Sequence, residues 1–181
     1  MVMVESQSLP ASQGAGPAAG VGLLFLREEE LRLAQDLLLL ATRELARDAD
    51  ALLAQHGLGR AHHRALHFIA RQPGLTVGDL LALLGITKQS LARVLTTLQA
   101  EGLIEQMAGR SDRRQRLLRL TDAGLALERA LFECQRERLL AAYREAGGGA
   151  VEGFRRVLRL LLAPAARAAL DRARAAARSG A

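Results

Sequence analysis

Residues 75–120 read LTVGDLLALLGITKQSLARVLTTLQAEGLIEQMAGRSDRRQRLLRL, and this stretch decides the fold. Thr76-Val77-Gly78-Asp79 matches the S/T-x-x-D/E capping box, whose two ends each satisfy a free amide of a first helical turn. Leu80, Leu81, Leu83 and Leu84 give that short helix a buried side, and Gly85 stands where a left-handed residue ends it. Thr87 is placed to cap a second helix that runs to about Glu101 and stops at Gly102. On a helical wheel Leu91, Val94, Leu95 and Leu98 form one apolar stripe at i, i+3, i+4, i+7. The opposite face carries Gln89, Arg93 and Thr96, flanked by Ser90 and Thr97, with no acid before Glu101. An ordinary solvated helix mixes Glu with Lys on its outer face. A hydrogen-bonding face without carboxylates suits a helix lying in the major groove of DNA, and on this helix alone the two readings balance.

The next segment tips the balance. Leu103–Met107 and Arg116–Thr121 predict two short strands, and the loop AGRSDRRQ at 108–115 sets Arg110, Arg113 and Arg114 around Asp112. A hairpin with a basic tip thus follows directly on a helix-turn-helix. Residues 86–120 hold seven basic against three acidic side chains, so positive charge gathers on the presumed DNA-reading elements.

Outward from this centre the periodicity is helical. Residues 23–55 space Leu31, Ala34, Leu38, Ala41, Leu45, Leu52 and Leu53 as a long amphipathic helix. Residues 25–57 carry four Arg against seven acids, which suits packing or dimerisation and not phosphate contact. Gly57-Leu58-Gly59 breaks the pattern, a helix is predicted from about Arg60 to Arg71, and Gln72-Pro73-Gly74 turns the chain. Thr121 caps another long helix to about Glu145 that uses Leu125, Leu131, Cys134 and Leu139 as apolar positions. Gly147-Gly148-Gly149 breaks it, a last helix covers about Val151–Leu162, and Pro164 marks its end. The Ala-rich stretch 165–181, with four Arg and one Asp, reads either as a frayed helix or as a basic tail touching DNA.

This order resembles the MarR family of winged-helix transcription regulators. The residues that carry the likeness are PGLTVGDLLALLGITKQSLARVLTTLQAEGLIEQ at 73–106 and GRSDRRQRLLRLTDAGLAL at 109–127. The second run holds the family's D-x-R-x-R wing signature as Asp112, Arg114 and Arg116, and its L-T-x-x-G helix start as Leu120, Thr121 and Gly124. The runs RAHHRAL and GITKQSLARVL look most like a PetP-like subgroup. The fold class expected is mainly α with a small β-hairpin wing, a winged helix-turn-helix with flanking dimerisation helices. Its parts are a flexible tail at 1–22, a domain at 23–163 and a basic tail at 164–181. Within the domain, 58–121 is the DNA-binding lobe, and 23–57 with 122–163 are dimerisation helices.

The resemblance implies a homodimer on double-stranded DNA, each subunit presenting one winged helix to a half-site of a pseudo-palindrome. It places Gln89, Ser90, Arg93 and Thr97 near base edges or flanking phosphates. Thr87 and Lys88 would meet phosphate at the helix N-terminus, and Arg114 would enter the minor groove. Arg113 and Arg116 complete the DNA-binding set, with Asp112 holding Arg116 to fix the wing. A small-molecule effector is a further candidate partner, because the family's pockets lie between the dimerisation helices and the DNA-binding lobe.

Composition bounds the alternatives. The 181 residues are 50% hydrophobic, 3% aromatic and formally +6, so a core is expected and aromatic stacking platforms for single strands are not. Lys88 is the single lysine, and an Arg- and Ala-biased genome accounts for the composition as well as a polyanionic partner does. The lone Cys134 excludes an internal disulfide and any multi-cysteine zinc site, and a reducing cytoplasmic location fits it. Residues 6–26 are uncharged but rich in Ser, Gly, Pro and Ala, and no basic stretch precedes them, so neither a secretory signal nor a membrane span is expected. His63 and His67 have the i, i+4 spacing of two metal ligands, with His62 and His56 nearby. Without a third or fourth ligand close in sequence, packed or solvent-facing histidines are preferred, and no metal or other cofactor is expected. Cys134 on an apolar stripe reads as a buried, inert thiol rather than a peroxide sensor. No phosphate-cradling loop, catalytic triad signature or H-E-x-x-H occurs, so an enzyme is not expected. The competing classes are a winged helix that binds an acidic protein partner, and a metal- or redox-triggered regulator of the same fold.

Overall fold

Three threonines set the local architecture of the chain, whose computed structural model describes residues 25–108 and 115–179. Thr76 Oγ1 accepts from the Asp79 amide at 3.0 Å and donates to Asp79 Oδ2 at 2.7 Å, closing the box that starts α3 (Val77–Leu84). Thr87 caps α4 (Lys88–Ala100) through the Ser90 amide at 3.1 Å, and Thr121 caps α5 (Asp122–Leu161) through the Gly124 amide at 3.1 Å. Gly85, at φ 62° and ψ 32°, makes the left-handed turn between α3 and α4 that a β-carbon would oppose. The remaining helices are α1 (Glu28–Gln55), α2 (Arg60–Arg71) and α6 (Pro164–Ser179).

The strands β2 (Ile104–Ala108) and β3 (Arg116–Leu120) pair antiparallel with Ile104 opposite Leu120 and Ala108 opposite Arg116. The pair thus extends one residue further along β2 than predicted and stops one short on β3. Sequence periodicity missed β1 (Leu75–Thr76), which joins the outer side of β3 to complete a three-stranded sheet in the order β1-β3-β2. The motif residues at 109–114, which include Asp112, Arg113 and Arg114, lie outside the described residues, as do residues 1–24, with the tail expected at 1–22, and residues 180–181.

Two units are distinguished, residues 1–42 and 43–181. In the first, the α1 residues Leu31, Leu33, Leu37, Leu39 and Leu40 are all exposed. In the second, one core gathers Leu53 of α1, Leu66 and Ile69 of α2, Leu80 of α3, the α4 stripe, Leu118 of β3 and Leu131 of α5. Polar ties seat α5 on the part of α1 within this unit. Arg138 forks onto both oxygens of Asp48 at 2.7 and 2.9 Å, and the Gln135 amide donates to the Leu45 carbonyl at 2.8 Å.

Gly124 explains the glycine of the L-T-x-x-G start. A β-carbon there would fall inside the van der Waals radius of the Leu103 carbonyl oxygen, so α5 can cross the end of the hairpin only at a glycine. The glycine triplet breaks the helical run of α5 where expected. Gly147 leaves helical geometry (φ 75°, ψ 162°), so α5 is two helical halves that meet at a kink there.

Two further expectations are corrected. Pro164 does not simply close the chain's last helix; it opens α6, because proline suits a first helical turn whose amides lack partners anyway. Ala169 of α6 is buried, and Arg172 Nη2 reaches Asp79 Oδ1 at 2.6 Å, so this segment is a helix docked on α3. Cys134 is exposed. Periodicity places it on the same side as Leu131, but the buried core includes Leu131 and not Cys134.

Candidate nucleic-acid interface

The candidate interface is built on α4. Leu91, Val94, Leu95 and Leu98 are buried, as the stripe predicts, and this fixes the rotation of the helix. Lys88, Gln89, Ser90, Arg93 and Thr96 are consequently exposed on the other side. Burying these four side chains stabilises the lobe by about 1.5–3 kcal/mol each before entropy is subtracted, so the outer face is held by the core beneath it. Lys88, Gln89 and Arg93 make no hydrogen bond or ion pair through their side chains among the described residues, which leaves their donors for a ligand.

The other predicted residues divide by what their hydroxyls already do. Thr87 donates to Ser90 Oγ at 2.9 Å while accepting from the Ser90 amide, so these two form the cap itself. Thr97 is half-buried and donates to the Arg93 carbonyl at 3.1 Å. Thr96 donates to the Ala92 carbonyl at 2.9 Å but lies exposed at the centre of the face.

A cleft of about 710 Å³ opens beside α4, between α3 and the hairpin, with Lys88, Thr96, Gln99, Gln106, Gln115 and Arg116 on its walls. Gln106 Nε2 donates to Gln99 Oε1 at 3.2 Å and ties β2 to α4. These three glutamines escaped the sequence reading, since only the folded hairpin brings Gln106 and Gln115 beside Gln99 of α4. Arg116, at the exposed start of β3, faces Ala108 in the register. Further along the hairpin Arg119 faces Glu105, at 3.9 Å, which neutralises that part of the wing.

The histidines take local roles on α2. His62 Nδ1 accepts from the Gly59 amide at 3.0 Å and so caps the helix, a use the spacing did not suggest. His67 Nδ1 meets Glu128 Oε1 of α5 at 3.3 Å. Burial pushes the His62 ring below its ordinary pKa. Burial does the same at His63, helped by the charge of His67 and opposed by Glu128 and Asp50. Among the described residues no three His, Cys, Asp or Glu side chains gather as a metal-binding group. Among them, too, no helix is long and apolar enough to cross a membrane.

The MarR family model matches residues 56–115, which span α2 through the start of the hairpin region. HTH-type transcriptional regulator PetP of Rhodobacter capsulatus is 53% identical over 152 residues, covering 84% of this chain and 92% of the relative. Among solved structures, NadR in complex with 4-hydroxyphenylacetate has a TM-score of 0.62 at 22% identity, covering 84% of this chain and 97% of that one. A mutant MarR from E. coli complexed with operator DNA has a TM-score of 0.57 at 20% identity, covering 77% of this chain and 99% of that one. The two structures share the fold, and the closer sequence relative carries the identity over nearly its whole length: the chain belongs to the MarR family of transcription regulators.

Proposed function

We propose that the chain is a homodimeric regulator that reads a pseudo-palindromic operator in duplex DNA, with α4 of each subunit in the major groove and the wing beside it. One observation carries this reading. The outer face of α4 presents Lys88, Gln89, Ser90, Arg93 and Thr96 to solvent with no carboxylate among them. Gln89 and Arg93, at i and i+4 near the helix N-terminus, are the base-edge readers, since Gln pairs with adenine and Arg with guanine through two hydrogen bonds. Lys88 and the free amides at the Thr87 cap take flanking phosphates. Arg113, Arg114 and Arg116 supply wing contacts, with Asp112 bracing the wing. The relative solved on operator DNA supports the docking mode.

The exposed leucines of α1 and, separately, Phe154, Val157, Leu160 and Leu161 of α5 support self-association, because a soluble monomer rarely leaves such apolar runs in water. The lobe would be 58–121, flanked by the dimerisation helices. The NadR relative, solved with 4-hydroxyphenylacetate, supports modulation by a small ligand, which would change the spacing of the two recognition helices. The transcription-regulator relatives support a non-enzymatic role.

Fluorescence anisotropy against a duplex carrying the selected operator, over a range of salt, tests the reading. The account expects affinity to fall steeply with salt and Arg93→Ala to remove the preference for the operator over a scrambled duplex. Equal affinity of both proteins for both duplexes contradicts it and favours an acidic protein partner for the Arg face.

A further inference from the structure

Between Asp50 and Glu101 the sequence holds a single acidic residue, Asp79, against Arg60, Arg64, Arg71, Lys88 and Arg93. That run contains α2, α3 and α4. Leaving carboxylates out of elements that approach a polyanion avoids repulsion, yet the capping box of α3 uses one. Thr76 Oγ1 donates to Asp79 Oδ2 at 2.7 Å, which fixes the cap. The cleft beside α4 shows where this charge sits. Thr76, Val77 and Gly78, the residues just before Asp79, share its wall with Lys88, Thr96 and Arg116. Neighbouring residues are about 3.8 Å apart, and charges are screened over about 8 Å at physiological salt. A phosphate lying against exposed Gly78 therefore feels the Asp79 carboxylate.

The second oxygen of that carboxylate is taken from 93 residues away. Arg172 Nη2 of α6 donates to Asp79 Oδ1 at 2.6 Å. Burial pushes the Asp79 carboxyl up, but the Thr76 hydroxyl and Arg172 hold it below its ordinary range, so it is ionised at neutral pH. The seat of α6 does not depend on this contact. Ala169 is buried, Asp171 accepts from Arg159 at 2.7 Å, and Arg167 Nη2 donates to the Leu160 and Leu162 carbonyls at 3.1 and 3.2 Å. An ion pair open to solvent adds little to stability, so packing alone gives Arg172 no reason to reach Asp79. Electrostatics at the cleft does.

We propose that Arg172 is a positioning residue for DNA binding: it acts through Asp79, cancelling the one carboxylate of α3 and α4 so that a phosphate can approach the first turn of α3. This rests on the proposed function and adds α6 to the parts that determine DNA affinity. Because Arg159 and Arg167 tie α6 to the far half of α5, that half is joined to DNA affinity as well. A movement that draws α6 off α3 bares Asp79 and repels a duplex whatever its sequence.

The test is fluorescence anisotropy of the full chain on operator and scrambled duplexes over a range of salt, well below the melting transition of each variant. Arg172→Gln should weaken binding to both duplexes by the same factor, about three- to tenfold, with a shallower salt dependence. Arg172→Lys, which keeps the charge, should stay within about twofold of wild type. The decisive variant is Arg172→Gln with Asp79→Asn, whose amide oxygen still accepts from Thr76 but carries no charge. It should restore wild-type affinity. An unchanged affinity in Arg172→Gln overturns the proposal. So does a loss that Asp79→Asn does not repair, which makes Arg172 a direct phosphate contact or a structural tie. A loss confined to the operator also overturns it, because the pair would then orient α4. Failure of the proposed function reads differently: a wild-type chain with equal affinity for both duplexes removes operator recognition, while the uniform loss and its repair still test Arg172. A wild-type chain that binds neither duplex removes both.

Discussion

Under the proposed function, single residues divide into those that would read DNA and those that hold the reading helix in place. Gln89→Ala and Arg93→Ala should each cost about 1–3 kcal/mol of operator affinity, with relaxed base preference, if each side chain makes a bidentate base contact. Measured anisotropy curves on matched and mismatched duplexes check this, and melting temperatures should stay within error because both side chains are exposed. Gly124→Ala acts the other way. The new methyl meets the Leu103 carbonyl, so stability should fall by about 1–3 kcal/mol in denaturant melts while the α4 face keeps its side chains. Titration gives a third expectation. Burial favours the neutral rings of His62 and His63, so the unfolded chain binds more protons than the folded one below the ordinary histidine pKa of about 6.5. Their contribution is whole above that pH and is lost as pH falls through the depressed folded values. Melts between pH 7.5 and 5 should show this decline, and His63→Gln should flatten it.

Elements show which parts of the sequence speak for themselves. The starts of α3, α4 and α5 were legible because Thr76, Thr87 and Thr121 bond amides three residues on, and Gly85 ends α3 by its own backbone freedom. The α4 face was legible because a four-residue stripe fixes the rotation of a helix. What stayed hidden depends on partners distant in sequence. β1 is two residues long and exists through its pairing with β3, too short for alternation to register. Pro164 carries the same signal whether a helix has ended or another begins, and only the docking of Ala169 and Arg172 onto α3 decides. Cys134 shows the limit of periodicity, which names the apolar side of a helix but not what covers it. The α6 contact has an energetic test. Asp79 is pushed up by burial, yet the Thr76 hydroxyl and Arg172 outweigh this and hold it below its ordinary range. A double-mutant cycle of Arg172→Gln with Asp79→Asn should return a coupling of about 0.2–1 kcal/mol, the range of pairs open to solvent.

At the scale of the whole molecule the account turns on two copies acting together. The exposed leucines of α1 and the apolar face of α5 predict that the 19.5 kDa chain sediments as a dimer. Leu37→Glu with Leu40→Glu should shift it toward monomer and reduce operator affinity by at least tenfold, since one lobe cannot hold two half-sites. A dimer that persists in this variant with full operator affinity removes α1 from the interface. The formal +6 charge adds long-range attraction to DNA but selects no sequence, so affinity alone does not establish a regulator. The most direct test is selection of bound fragments from sheared genomic DNA of the source organism, followed by sequencing. The account predicts enrichment of a pseudo-palindrome whose half-sites are centred about 10–10.5 base pairs apart, one helical turn. Recovery of fragments with no shared sequence at moderate salt would contradict it.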